Sequence, residues 1–151
     1  MKFGDFLSED DKKRLWRQTF EPFQVYRLKA NLPGRDYKLC LLVCLSPCSF
    51  YYINTNVHKK IEVDPDKNSL QVVLYGELNE FLTEEVSHID CSYLVDSMIN
   101  PNMIGDMLNG HGKYMGKIDD DAQKQVMEAI QNSKFLSPKQ KKAILSYLSE
   151  G

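Results

Sequence analysis

Seven consecutive apolar residues, Leu39 to Leu45, run from the charged stretch Arg35-Asp36-Tyr37-Lys38 to the turn pair Ser46-Pro47. An apolar run this short, closed by turn residues, reads as a strand buried on both faces. One alternate set of its side chains is Leu39, Leu41, Val43 and Leu45; the other is Cys40, Leu42 and Cys44. Neither set tolerates water, so the strand belongs at the centre of a sheet or barrel. The cations at its mouth then sit where buried scaffold meets solvent, a sensible place for a site.

The neighbouring segments read as further short strands. Phe23 to Lys29 alternates, Asn31-Leu32-Pro33-Gly34 is a turn, and Phe50 to Thr55 is a β-prone run rich in aromatics. Leu70 to Tyr75 reads as a fourth strand, hairpinned with Ile61-Glu62-Val63 across the turn signal Asp64-Pro65-Asp66-Lys67-Asn68. Ser87 to Cys91 is a short fifth. Many short strands with few residues between them imply a small closed barrel rather than a parallel sheet.

Helices flank this core. Ser8 caps a segment over 8–19 with Glu9, Asp10 and Asp11 in its first turn. Asp119 caps another, with Ala122, Val126, Ala129 and Ile130 on one stripe. Ser137-Pro138 starts a last helix. Residues 96–116 hold a short helix after Asn100-Pro101, then Gly105, Gly110, Gly112 and Gly116 as a mobile connection. With 151 residues the chain makes one domain: a helix at 8–19, β-barrel core over 22–95, and a helical part over 96–151. The fold class is α+β.

The formal net charge of -2 denies the chain the overall basic field of a typical duplex-DNA binder, but not a local basic patch. No apolar run approaches the roughly 20 residues a membrane span needs, and the N-terminus has no signal pattern, so a cytoplasmic protein is expected. Cys40, Cys44 and Cys48 recur every four residues with Cys91 far off, which is not the spacing of a zinc module. They read as reduced core residues, and Asp119-Asp120-Asp121 as a helix start rather than a metal site.

Three stretches carry a family resemblance: Gly34 to Val43, Phe50 to Thr55, and Ser87 to Ser92 followed by Gly116-Lys117-Ile118-Asp119. In this order they resemble the PemK/MazF-like endoribonucleases of toxin–antitoxin systems, over roughly residues 22–133. The resemblance implies a small SH3-like antiparallel barrel with appended helices, here one N-terminal and others C-terminal. It also implies a homodimer, single-stranded RNA as substrate, an antitoxin protein as partner, and neither metal nor other cofactor. Lys38-Leu39 stands where the family usually has Arg-Pro, and lysine is a point charge that cannot grip a phosphate bidentately.

RNA cleavage by the neighbouring 2′-hydroxyl needs a cation for the crowded phosphorane, a proton acceptor, and a group that orients the phosphate. Lys38 and Arg35 are the cations, Thr55 the orienting hydroxyl, and His58 the base nearest to it. Arg27, Lys29, Tyr37, Tyr51 and Lys59 supply charge and stacking surface for RNA. Each also has an ordinary reading: solvated charges at a strand mouth, a strand-end threonine, a surface histidine. The chain is therefore expected to be a metal-independent endoribonuclease or, alternatively, an inactive barrel that binds RNA or protein.

Overall fold

The structure is a computed structural model and describes residues 20–32 and 35–150, with the side chains of 31, 32 and 35 left out. The expected helix at 8–19 lies outside the described residues, as do Pro33-Gly34 of the expected turn. Asn31 and Leu32 belong to a strand.

Among the described residues six strands form one sheet: β1 (Gln24–Leu32), β2 (Arg35–Leu45), β3 (Cys48–Asn54), β4 (Gln71–Tyr75), β5 (Val86–Val95) and β6 (Lys113–Lys117). Their order is β4-β5-β3-β2-β1-β6, and every pairing is antiparallel. β2 therefore has two strands on one side and three on the other, as its double-sided apolar run requires. Cys40, Leu41, Leu42 and Val43 are fully buried. Truncating Leu41 to alanine would cost about 2–5 kcal/mol, the range for a leucine whose site cannot collapse.

The sheet curls into a half-barrel, and helices cover it. Among the described residues there are five: α1 (Lys59–Glu62), α2 (Pro65–Asn68), α3 (Pro101–Leu108), α4 (Asp120–Asn132) and α5 (Pro138–Leu148). α3 lies over the face of Leu28, Ala30 and Cys40, where Met103 Sδ is 3.9 Å from Cys40 Sγ and Asn100 Nδ2 donates to Ala30 O. α4 packs near β4, burying Val126 and Ile130 on the side where Val72 and Leu74 are also buried. Asp119 caps α4, and Ser137 with Gln140 makes a reciprocal capping box on α5.

Two expectations are overturned. Ile61-Glu62-Val63 does not pair with β4: His58 and Asp64 start the helical turns α1 and α2 instead, each accepting from backbone N–H groups. Three alternating residues are too few to hold a strand against two side-chain caps, and α1 buries none of its side chains.

The segment after Gly112 is not a loose connection either. It is β6, paired with β1 from Gln24↔Lys117 to Arg27↔Lys113. Its glycines mark close approach. A Cβ on Gly112 would sit 2.6 Å from Leu28 Cδ2, and one on Gly116, at φ +151, 2.9 Å from Phe81 Cδ1.

β4 and β6 end the strand order, and among the described residues no ladder joins them. The β4–β5 loop, residues 76–85, spans the gap. Phe81 lies against Gly116, and Asn79 hydrogen-bonds Asp119.

Candidate functional site

Antiparallel pairing brings one row of residues into line across the sheet. Arg27 stands opposite Leu39, Leu39 opposite Ile53, and Ile53 opposite Ile89. Cross-strand partners point to the same face. Next along, Lys29 stands opposite Tyr37. Where this face opens to solvent there is a cleft of about 180 Å³. Leu39, Ile53 and Leu82 form its apolar part; Thr55, Thr83 and Ser87 bring hydroxyls; Arg27, Tyr37 and Lys38 complete the rim.

The rim is cationic and aromatic. Arg27 Cζ lies 4.2 Å from the ring centroid of Tyr37, a cation–π contact, and the tyrosine is 49% exposed. Thr55 is exposed just beyond the end of β3. The opposite wall is acidic in character, because the loop that supplies Leu82 and Thr83 also carries Glu77, Glu80, Glu84 and Glu85, all exposed.

Lys38 belongs to the cleft's lining, yet its ammonium is engaged elsewhere. Its β1 partner is Leu28, on the face opposite Arg27, and it is only 7% exposed. Nζ donates to Asn54 Oδ1 and lies 5.7 Å from the Tyr52 ring centroid. Asn54 in turn stands opposite His88 on β5. Burial pulls the His88 imidazole below its usual value. Tyr52 stacks on Tyr93 with centroids 6.4 Å apart.

Three of the expected site residues thus bring their side chains to one place, Thr55, Arg27 and Tyr37, while Lys38 lines the same cleft with its ammonium held by Asn54. The others do not. His58 is the N-cap of α1, and its Nδ1 accepts from Lys60 N at 3.1 Å. A neutral imidazole used in this way carries its proton on Nε2 and has no lone pair left for a substrate proton. Lys59 is exposed on the same helical turn. Lys29 borders a separate cleft of about 380 Å³ with Asn102, Asp106 and Asn109.

Tyr51 is fully buried, so the stacking role expected of it is corrected: it is opposite Leu41 in the interior. The backbone of Arg35 opens β2, while its side chain lies outside the described residues.

Sequence reasoning missed Lys113, which stands opposite Arg27 on β6 and is exposed. It also missed Thr83 and Ser87. The signal for Lys113 was weak, because its short strand is interrupted by glycine.

No histidine or carboxylate lines the cleft among the described residues, and none of their His, Cys, Asp and Glu side chains group to hold a metal ion. None of the described helices is long and apolar enough to cross a membrane. What the fold and cleft define is a class, a mixed α+β protein whose curled antiparallel sheet presents a cationic, aromatic and hydroxyl-lined cleft. No protein-family model and no curated protein matches the chain.

Proposed function

We propose that the cleft binds single-stranded RNA and that the protein is an RNA-binding relative of the PemK/MazF-like barrels, its curled sheet a variant of their SH3-like scaffold. The observation that carries this reading is the Arg27–Tyr37 stack at the mouth of a cleft with three hydroxyls. A guanidinium attracts phosphate, an exposed ring accepts a stacked base, and hydroxyls hydrogen-bond sugar or phosphate oxygens. Base stacking on one aromatic contributes about 1–3 kcal/mol.

Binding without turnover is favoured over cleavage, since the described lining offers no group to take the 2′ proton. One observation favours the second reading, a metal-independent endoribonuclease: Thr55, assigned to orient the phosphate, borders the same cleft as Arg27 and the backbone position of Lys38. On the same resemblance the protein is a homodimer, and an antitoxin chain occupies the cleft in competition with RNA.

The test is one titration and one incubation. A labelled mixed-sequence single strand is titrated by anisotropy against wild type, Arg27→Ala and Tyr37→Ala, and the same RNA is incubated with protein in EDTA. Binding that falls in both variants supports the proposal; wild type that binds no better than they do ends it. Cleavage abolished by Lys38→Ala or Thr55→Ala would replace binding by catalysis as the function, and intact RNA would leave binding as it stands.

A further inference from the structure

Arg27 has a neighbour on each side along the sheet. Leu39 of β2 leads into the cleft, and Lys113 of β6 leads away from it. Because ladder partners share a face, Arg27 and Lys113 present two exposed cations in a line at right angles to the strands. Neighbouring strands are about 4.8 Å apart. Successive phosphates of an extended single strand are somewhat farther apart than that, within the reach of two long flexible side chains.

The far end of β6 is different. Phe81 lies against Gly116, three residues along β6 from Lys113, Leu82 and Thr83 stand at the cleft, and Glu80, Glu84 and Glu85 on the same loop are exposed. The loop is anchored rather than loose. Asn79, 2% exposed, donates to Tyr75 O at 3.0 Å and to Asp119 Oδ1 at 2.8 Å. A polyanion meets an apolar, acidic loop towards the Lys117 end of β6 and two cations at its Lys113 end.

We infer that a bound RNA strand leaves the cleft across β1 and β6, over Arg27 and Lys113, so that Lys113 is a second phosphate-binding residue. This rests on the RNA reading of the cleft. The site is then longer than the cleft, and its outer part is electrostatic and indifferent to sequence.

The consequence is a dependence on strand length. A dinucleotide whose single phosphate sits at Arg27 has none left for Lys113, whereas a dodecanucleotide covers both. Anisotropy titrations of both lengths are made with wild type, Lys113→Gln and Lys124→Gln, the last an exposed lysine on α4 that controls for net charge. Lys113→Gln is expected to weaken the dodecanucleotide several-fold and to leave the dinucleotide unchanged. The slope of log affinity against log salt for the longer strand falls by about 0.7, the value for one phosphate contact on a single strand. Lys124→Gln changes neither.

If Lys113→Gln matches Lys124→Gln on both lengths, or weakens both lengths equally, the path across β6 is wrong while the cleft reading stands. Wild type that binds neither oligonucleotide overturns both.

Discussion

Asn79 and Asp119, 40 positions apart, hydrogen-bond each other in both directions. Asn79 Nδ2 donates to Asp119 Oδ1 at 2.8 Å, and the Asp119 N–H donates to Asn79 Oδ1 at 3.0 Å. The second carboxylate oxygen of Asp119 accepts from Ala122 N and caps α4. One buried amide therefore joins the wall of the cleft to the start of the helix behind it.

Replacing Asn79 should consequently damage more than the loop. Asn79→Ala leaves the Asp119 N–H without its side-chain partner in a partly buried setting, while the Tyr75 carbonyl keeps the Leu78 N–H. Leaving one buried polar group unsatisfied costs about 1–3 kcal/mol. An unfolding free energy lowered by that amount, read as a lower urea midpoint at an unchanged slope, is the expected outcome. Asp119→Asn, which can still cap and still accept from Asn79, should cost less. Equal losses in the two variants would show that the reciprocal pair is not what holds the loop.

Tyr51 gives a substitution expected to do little harm. Its ring fills the core between β2 and β5, but its hydroxyl is buried without a hydrogen-bond partner among the described residues, and burial pushes that phenol far up from its ordinary value. An unpartnered buried hydroxyl is a net cost. Tyr51→Phe keeps the ring and should leave stability unchanged or raise it by up to about 1 kcal/mol. RNA affinity should not move, since the side chain cannot reach the cleft. A thermal melt and one titration decide it; a clear loss of stability would mean that the hydroxyl has a role in the core.

His88 sets a pH dependence with a definite sign. It stands opposite Asn54, the acceptor of the Lys38 ammonium, and opposite Val73 of β4. Burial disfavours its charged form and lowers its value in the folded state. As pH falls below about 6.5, the ordinary value, the unfolded chain takes up this proton before the folded one does. The contribution of His88 to stability is thus present above that pH and declines below it, until the folded form also protonates. The difference in urea stability between wild type and His88→Asn, followed from pH 8 to pH 5, should shift in favour of the variant on the acid side. A difference that stays flat would show that the imidazole titrates alike in both states.

Several of these features were legible before any coordinates. Residues 39–45 announce a strand buried on both faces because both alternate sets are apolar, and only its ends, Leu39 and Leu45, are partly exposed. The caps at Asp119 and Ser137-Pro138 are local chemistry, settled within a turn of chain, and the helices begin there. β6 was hidden because its reason for existing is the free edge of β1, some 90 positions earlier. Its glycines, which suggest freedom in isolation, are where Leu28 and Phe81 press closest. The site turned on parity. Lys38 has the same parity as Cys40 and Leu42, so its side chain follows them to the face of Leu28, while Arg27 and Tyr37 go to the cleft. Alternation alone carries that information; a motif laid along the chain does not.

The cysteines offer a graded test of burial. The four thiols are free and buried. Burial pushes Cys48 up to about 12 and drives Cys40 and Cys91 upward as well, so little nucleophilic thiolate exists at pH 8. Cys44 is the most approachable. Burial raises it too, but backbone hydrogen bonds from Ser46 and Leu45 oppose the rise. It also borders a cavity of about 480 Å³ with Ser46, Tyr147 and Glu150, between the β2–β3 turn and α5. A thiol reagent added to native protein at pH 8 should therefore react slowly and label Cys44 first. Cys91, fully buried beside Asp90, should react only on global unfolding, and denaturant should release all four at once. Peptide mapping after partial labelling reads the order. A rapid burst of more than one equivalent from folded protein, or Cys91 labelled ahead of Cys44, would contradict the packing of β2 and β5 described above.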